Sequence, residues 1–261
     1  MGEAAQPSPL AGDFFALLAR HDVAPPRVDP QVVANQIHAT TVFGFRCAEG
    51  VLMVGDRRAT AGNVIVTERV EKVIELDATS MMAIAGVPAT AFEMARALQT
   101  AFEYYRRSQL QPLSLPARVR ALSRALRDNL PLTLQGVGIV APLFAGLDSS
   151  VTPARPEIYF YDPLGAQFQA VGFAASGSGA GTIRSILSFQ ERFGSPPLEQ
   201  LERKQALRLA LQVLMVAAEF DSATGGVVPE ASRFATMRLL TSEGIERIDD
   251  DEQRAALEAR P

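Results

Sequence analysis

The sequence predicts an α+β fold: a four-layer αββα sandwich, in which two stacked antiparallel sheets are flanked by helix pairs. The first observation is the order of the elements, because runs of strands alternate with pairs of helices and lack the strict βαβ rhythm of a doubly wound sheet. The second is composition, since 261 residues with 48% hydrophobic and 21% charged residues are typical of a globular protein with a sizeable core.

The first half of the chain from residue 40 onward contains five short β-rich runs and then two helices. The strands are predicted at residues 41–45, 50–54, 64–67, 72–76 and 81–85. Residues 46–49 form the turn of a hairpin between the first two. Apolar residues at helical spacing predict a helix over 89–109. A second helix over 116–129 begins at Pro116 and ends before Pro131.

The second half repeats this alternation. Strands are predicted at residues 136–144, 157–161 and 168–171, and the first of them is apolar on both faces and should be buried. Two helices follow at residues 180–193 and 201–220, and a strand pair at residues 234–240 and 244–248. Residues 249–261 are polar and charged, which predicts a surface helix or tail.

Composition and charge exclude several classes of function. A formal net charge of −4 provides no basic field for nucleic acid or an anionic membrane, and no apolar run approaches the roughly 20 residues that span a bilayer. The amino terminus lacks the features of a secretory signal, so we expect a soluble, cytoplasmic protein. Cys47 is the single cysteine, which excludes an intrachain disulfide.

Histidine is confined to the first forty residues, at His21 and His38. If that segment is dispensable, the remaining domain has no Ser-His-Asp triad, no Cys-His pair and no histidine-ligated zinc. We therefore expect no metal and no cofactor. Residues 1–39 contain five prolines, which oppose regular structure over most of the segment. They are either a flexible tail or a removable pro-segment.

Lys72 stands out within the predicted strand at 72–76, where alternation places it on the same face as Val70 and Ile74. An inward lysine needs an anionic partner, because burying the charge alone is costly. Asp56, at the end of a hydrophobic strand, is the obvious candidate. In a domain without histidine, such a lysine is the foremost residue for pKa tuning.

A glycine cluster at residues 176–182 lies between a strand and a helix. Its spacing does not fit a dinucleotide fingerprint, and no P-loop lysine follows it. A tight turn that exposes Ser178 and several N–H groups is the better interpretation, and such a turn can orient a catalytic amine.

Thr40 opens the first strand where the composition changes. Two threonines at a strand start are unremarkable in an intact chain. If the chain were cut before Thr40, however, one residue would hold both a hydroxyl nucleophile and a free α-amine. An α-amine has an unperturbed pKa of roughly 8, so it can serve as the missing general base.

These features together resemble a proteasome β-subunit of the actinobacterial type, over essentially all of residues 40–248. The motifs that carry the resemblance are Thr40-Thr41-Val42, Gly55-Asp56-Arg57-Arg58-Ala59-Thr60, Lys72, Ile84-Ala85-Gly86, Gly177-Ser178-Gly179 and Asp221-Ser222-Ala223-Thr224-Gly225-Gly226. The resemblance implies an N-terminal nucleophile hydrolase fold, with residues 1–39 a pro-segment removed on maturation and residues 40–261 the catalytic domain.

The resemblance also implies a role for each matching residue. Thr40 is the expected nucleophile of a threonine endopeptidase, freed by autocatalytic cleavage between Ala39 and Thr40. Lys72, held by Asp56, would lower the effective pKa of its hydroxyl. The implied amine-positioning residues are Ser178, Asp221 and Thr224. The Gly86 N–H would form the oxyanion hole, and Thr60 would pair with the substrate backbone. An apolar pocket for the side chain before the cut would be lined by Ala59, Val70, Ile84 and Phe92.

The implied partners are proteasome α-subunits, other β-subunits in seven-membered rings with two β rings between two α rings, a regulatory ring ATPase, and unfolded proteins tagged with the small modifier Pup.

Two residues depart from the family pattern. Ala39 replaces the usual glycine before the nucleophile, and Pro88 removes a backbone N–H that the family uses to hold substrate. These departures favour the alternative of a non-catalytic, unprocessed structural ring subunit. An amidase of the same superfamily, acting on small molecules, fits the motifs less well.

Overall fold

Residues 41–62 and 64–258 are described in full by a computed structural model of the chain, and residues 37–39 by their backbone alone. The expected nucleophile Thr40 and residues 1–36 of the predicted pro-segment lie outside the described residues. All strand pairings among the described residues are antiparallel, and they form two five-stranded sheets and one three-stranded sheet.

One five-stranded sheet is built around the strand that follows Thr40. Its strands, in spatial order, are β11 (Phe173–Gly177), β2 (Thr41–Cys47), β3 (Gly50–Gly55), β12 (Thr236–Leu240) and β13 (Ile245–Ile248). The β2–β3 hairpin confirms the first predicted pairing, with a turn limited to Ala48 and Glu49. Both β2 and β3 are buried almost throughout, because they occupy the centre of the sandwich.

The second five-stranded sheet packs against the first. Its strands, in spatial order, are β10 (Gln167–Ala170), β9 (Arg155–Tyr161), β8 (Leu143–Asp148), β7 (Ser80–Ala83) and β6 (Val73–Asp77). An apolar layer between the two sheets joins them, and it includes Val42 and Met53 from one sheet with Met81, Leu143 and Ile158 from the other.

The three-stranded sheet lies beside the start of β2. It contains β1 (Ile37–Ala39), β4 (Ala59–Ala61) and β5 (Val64–Thr67), with β4 in the middle. Ala39 lies opposite Ala59, and His38 lies opposite Thr60. The backbone immediately before Thr40 is therefore already paired as an added strand on β4.

Helices cover the outer face of each large sheet. Their bounds are α1 (Pro88–Gln109), α2 (Leu115–Asp128), α3 (Leu130–Leu134), α4 (Ala180–Phe193), α5 (Arg203–Phe220) and α6 (Asp250–Glu258). Helices α1 and α2 pack on the sheet of β6–β8 through residues such as Leu98, Leu122 and Phe144. Helices α4, α5 and α6 pack on the other sheet through residues such as Leu187, Leu211 and Ala256. Three apolar layers thus separate four layers of structure, which confirms the predicted αββα sandwich.

One predicted strand was wrong in its bounds, and three strands, β1, β4 and β11, were not predicted. The strand expected at residues 136–144 begins only at Leu143, because Gly136 and Gly138 have φ values of 77° and 70° that interrupt extended backbone. Strand β11 was missed, since its sequence of Phe173 followed by small residues carries no β-branched signal. Its pairing with β2 is what brings the glycine cluster to the start of β2.

Candidate active site

Lys72 and Asp56 form a buried ion pair close to the start of β2. The Lys72 Nζ lies 2.5 Å from Asp56 Oδ1, and the exposed fractions of these residues are 0% and 1%. Lys72 also donates to the Arg58 carbonyl at 2.6 Å. The predicted pairing is confirmed, but Lys72 lies one residue before β6 rather than within it. Gly55 allows Lys72 to pack closely against the end of β3, since a Cβ on residue 55 would lie only 2.8 Å from the Cβ of Lys72.

The second oxygen of Asp56 is held by the backbone of two loops. Asp56 Oδ2 accepts the N–H of Arg58 and the N–H of Gly225, each at 2.8 Å. Arg58 reinforces the same junction, because its guanidinium donates to the carbonyls of Ser222 and Thr224 and pairs with Glu68. Both oxygens of the Asp56 carboxylate are thus fixed by hydrogen bonds, and the carboxylate holds the Lys72 ammonium group in one position.

Burial lowers the pKa of Lys72 and raises the pKa of Asp56, because both charged forms lose hydration. The charge of each partner opposes the shift on the other. The nearby Arg58 guanidinium lowers the pKa of Lys72 further. Lys72 is therefore a cation that releases its proton more readily than a lysine in water.

A cluster of hydroxyls and one carboxylate lies on the other side of the start of β2. Asp221 Oδ2 accepts the hydroxyl of Ser178 and, at 2.5 Å, the hydroxyl of Thr224. Partial burial alone would raise the pKa of Asp221, but these two hydrogen bonds and one from the Ala223 N–H lower it overall. Asp221 is therefore ionised at neutral pH. The structure brings together the three residues for which the resemblance implies amine positioning.

Thr41 connects this cluster to the ion pair. Its Oγ1 lies 2.5 Å from Thr224 Oγ1 and accepts the Gly179 N–H at 3.2 Å, while its carbonyl accepts the Asp56 N–H at 3.2 Å. The hydroxyl cluster therefore reaches the residue that follows Thr40 through side chains, and the ion pair reaches it through the backbone of Asp56. The sequence reasoning did not select Thr41, Arg58 or Gly225 as site residues. Each of them lies within two residues of a selected site residue, namely Thr40, Asp56 or Thr224, and this proximity is the feature of the sequence that could have identified them.

Gly86 occupies a backbone position that no other residue would fill. Its φ is 112°, and a Cβ on Gly86 would lie 2.1 Å from the Ile139 carbonyl oxygen. Hydrogen bonds on either side, from Val87 N to Ile139 O and from Ala141 N to Ala85 O, hold the segment in place. Pro88 is the first residue of α1, a position where the missing N–H costs no helical hydrogen bond.

The residues expected to bind substrate differ in burial and lie on different elements of the fold. Thr60 and Ala59 lie on β4, opposite β1, and both are buried. Ile84 is buried in the same apolar layer against which Phe92 packs, and Val70 is half-buried on the loop before Lys72. A shared pocket formed by Ala59, Val70, Ile84 and Phe92 remains a prediction. The cleavage bond between Ala39 and Thr40 lies outside the residues described in full.

The site offers a buried cation, an anion that aligns hydroxyl groups, and rigid backbone around both. Among the residues described in full, the groups at the site are lysine, carboxylates and hydroxyls. Within residues 41–62 and 64–258, no group of three or more His, Cys, Asp or Glu side chains is placed to hold a metal ion. Among the same residues, no helix is both long enough and apolar enough to cross a membrane.

The stacked antiparallel sheets, the outer helices and the converging site define an α+β sandwich of the N-terminal nucleophile hydrolase type. Comparison with known proteins gives the family, because residues 37–229 match the description "Proteasome subunit". The chain belongs to the proteasome subunit family.

Relatives named as β-subunits match most of the chain. A "Proteasome subunit beta" of Acidimicrobium ferrooxidans is 38% identical over 244 residues, covering 92% of this chain and 85% of that protein. One from Stackebrandtia nassauensis is 37% identical, covering 85% and 78%. A "Proteasome subunit beta 2" of Thermomonospora curvata is 39% identical, covering 82% and 74%. The resemblance seen in the motifs is therefore confirmed.

Proposed function

We propose that this chain is the threonine-type endopeptidase subunit of a proteasome core particle. Thr40 is its nucleophile, exposed by autocatalytic cleavage after Ala39, and its substrates are unfolded proteins tagged with Pup. The observation that carries the proposal is the buried Lys72–Asp56 pair, which meets the Ser178–Asp221–Thr224 cluster at Thr41, one peptide bond from Thr40. A subunit without chemistry to perform has no need to bury a lysine in this way, since the isolated charge is costly.

In the proposed reaction, the Thr40 hydroxyl attacks the substrate carbonyl and its own α-amine accepts the proton. The positive charge of Lys72 favours the developing alkoxide, which lowers the effective pKa of the hydroxyl. Ser178, Asp221 and Thr224 hold the amine through their aligned hydrogen-bonding groups. The amine later returns its proton to the leaving nitrogen, and water releases the acyl group from Thr40 by the same base.

The Gly86 N–H is the proposed oxyanion donor, an interaction worth about 3 kcal/mol in comparable sites. Its fixed backbone supports this role, because a preorganised donor needs no rearrangement during the reaction. Thr60 is the proposed anchor for the substrate backbone. The antiparallel pairing of β1 with β4 supports it, since a substrate strand would add to β4 in the same way.

Ala59, Val70, Ile84 and Phe92 are the proposed lining of the pocket for the side chain before the cut. All four are apolar and uncharged, which favours a chymotrypsin-like preference. The enzyme would act in the cytoplasm within two seven-membered β rings that lie between two rings of α-subunits, and a ring ATPase would deliver the substrates.

The second candidate function is a structural ring subunit that keeps its pro-segment. Ala39 favours it, because a Cβ next to the cleaved bond opposes the tight turn that self-cleavage requires. Pro88 favours it as well, because it cannot donate a backbone hydrogen bond to substrate at the start of α1.

Intact mass spectrometry distinguishes the two candidates. The subunit is co-expressed with its α partner, purified as assembled particles, and compared with a matched Thr40→Ala variant. Loss of residues 1–39 from the wild type alone, together with hydrolysis of a chromogenic apolar peptide, would support the peptidase. A full-length mass in correctly assembled wild-type particles would refute it and favour the structural subunit.

A further inference from the structure

Thr41 is fully buried, and its hydroxyl joins two loops that the proposed chemistry needs. It contacts Thr224 on one loop and accepts the Gly179 N–H of the other. We propose that Thr41 is a positioning residue, which orients the hydroxyl of Thr224 and limits how strongly the cluster stabilises the protonated amine of Thr40. The inference rests on the proposed function, because the amine it concerns is the proposed general base.

The direction of each hydrogen bond follows from counting protons. The ionised Asp221 carboxylate can only accept, so Ser178 and Thr224 both donate to it. Thr224 has a single hydroxyl proton, which this bond uses. The proton between Thr224 and Thr41 therefore belongs to Thr41. Because the Gly179 N–H donates to Thr41, the chain runs in one direction, from Gly179 through Thr41 and Thr224 to Asp221.

This direction determines what Thr224 can offer to an amine. A hydroxyl oxygen has two acceptor positions, and the Thr41 hydroxyl occupies one of those on Thr224. A single position remains for an N–H of the amine, and the oxygen is held in place. Acceptors near an amine favour its protonated form and raise its pKa. By occupying one acceptor, Thr41 keeps more of the amine neutral, which is the form that acts as a base.

The packing around the two hydroxyls is close enough to enforce this arrangement. A Cβ added to Gly179 would lie 2.7 Å from Thr224 Oγ1 and 3.1 Å from Thr41 Oγ1. Glycine at this position therefore lets the loop approach both hydroxyls. The strand pairing of Thr41 with Gly177 fixes the other side of the contact.

The charged groups around Thr41 also influence an amine at residue 40. Lys72 and Arg58 are cations and lower its pKa, whereas Asp56 and Asp221 are anions and raise it. These four groups keep their charges when Thr41 is substituted, and the contacts among Lys72, Asp56 and Arg58 do not involve the Thr41 side chain. A change in the pH profile of a Thr41 variant can therefore be assigned to the hydroxyl.

The test compares assembled wild-type particles with Thr41→Val, which keeps the shape and removes the hydroxyl, and with Thr41→Ser, which keeps the hydroxyl. Thr236→Val is the matched control, because Thr236 is a buried strand threonine whose hydroxyl has no partner among the described residues. Peptide hydrolysis is measured from about pH 5.5 to pH 9, so that kcat, KM and the acid limb of kcat/KM are obtained separately.

We expect Thr41→Val to lower kcat about tenfold with KM unchanged, as for the loss of one positioning hydrogen bond. Its acid limb should move up by roughly half a pH unit, because Thr224 gains a free acceptor for the protonated amine. Thr41→Ser should recover most of the lost activity, and Thr236→Val should match the wild type. A residue that only filled space would change neither the acid limb nor the ratio of kcat to KM.

Unchanged kcat and an unchanged acid limb in Thr41→Val would overturn this inference and leave the proposed function intact. Assembled wild-type particles without hydrolysis would overturn both. If Thr41→Val does not assemble, Thr41→Cys decides the question, because its thiol is only a weak donor. An upward shift of its acid limb supports the role of Thr41, and an unshifted limb excludes it.

Discussion

Asp56→Asn tests the energetic basis of the site, because it removes the charge that balances Lys72 while keeping the size of the side chain. Lys72 and Asp56 are 0% and 1% exposed, so water cannot replace the lost partner. Lys72 would retain the Arg58 carbonyl as an acceptor at 2.6 Å, but it would lose the carboxylate at 2.5 Å. Leaving one charge of a buried pair uncompensated typically costs about 3–5 kcal/mol.

The substitution should also make stability depend on pH. Without Asp56, burial lowers the pKa of Lys72 further, so the folded state binds the lysine proton less tightly than the unfolded state does. The unfolded state binds more protons, so stability rises with pH. The deficit of Asp56→Asn should therefore shrink as the pH rises from neutral toward the pKa of an unfolded lysine, about 10.4.

Urea unfolding of the full-length chain measures this, in a Thr40→Ala background that keeps the chain length constant. Adding Lys72→Met to Asp56→Asn should recover much of the loss, because a neutral apolar side chain tolerates burial. Glu103→Gln is the control, since it removes an exposed partner of Arg106 and should cause no measurable change. A loss below about 1 kcal/mol for Asp56→Asn, or a double variant no more stable than the single one, would refute the reasoning.

Three further substitutions and one control test positions where the backbone is expected to limit catalysis or processing. Gly86→Ala should abolish hydrolysis and destabilise the fold, because its Cβ would lie 2.1 Å from the Ile139 oxygen; Gly181→Ala, with open space around its Cβ, should leave peptide hydrolysis unchanged. Ala39→Gly should accelerate removal of residues 1–39, as followed by intact mass over time, since glycine permits the tighter turn; an unchanged rate would remove Ala39 as the suspected obstacle. Pro88→Ala restores an N–H where substrate is expected to bind and should lower KM several-fold with little change in kcat; an unchanged KM would show that this N–H does not contact substrate.

The fold was predictable from the sequence where apolar residues recur with a clear period. The predicted helix over 180–193 matches α4, because amphipathic spacing determines it. The predicted hairpin matches β2 and β3 for another reason, since two apolar runs that are buried on both faces are separated by a short turn. Sequence reasoning failed at residues 136–142, where two glycines with positive φ interrupt an apolar run. It also missed β11, whose small residues form a strand because β2 offers them a pairing edge.

The site was predictable where its chemistry is unusual for its surroundings. Lys72 in an apolar run required an anion, and Asp56 proved to be that anion. Thr41 was missed because a threonine at the start of a strand is ordinary in sequence. Its importance comes from contacts with Gly179 and Thr224, which are distant in sequence and adjacent only in the folded chain. Such long-range hydroxyl contacts leave no periodic signal.

In the proposed enzyme, where substrate adds to β4, the pairing of β1 with β4 makes the uncut chain its own competitive ligand. Because Ile37–Ala39 is covalently joined to the strand that follows it, its effective concentration beside Thr60 is on the order of millimolar or higher. A diffusing peptide must compete with this effective concentration to reach β4. The proposed cleavage before Thr40 would turn this internal ligand into a product that can leave. In the proposed enzyme, one cleavage therefore releases the competing strand and creates the α-amine of Thr40 at the same time. Whenever the edge of β4 is open to substrate, the general base is also present.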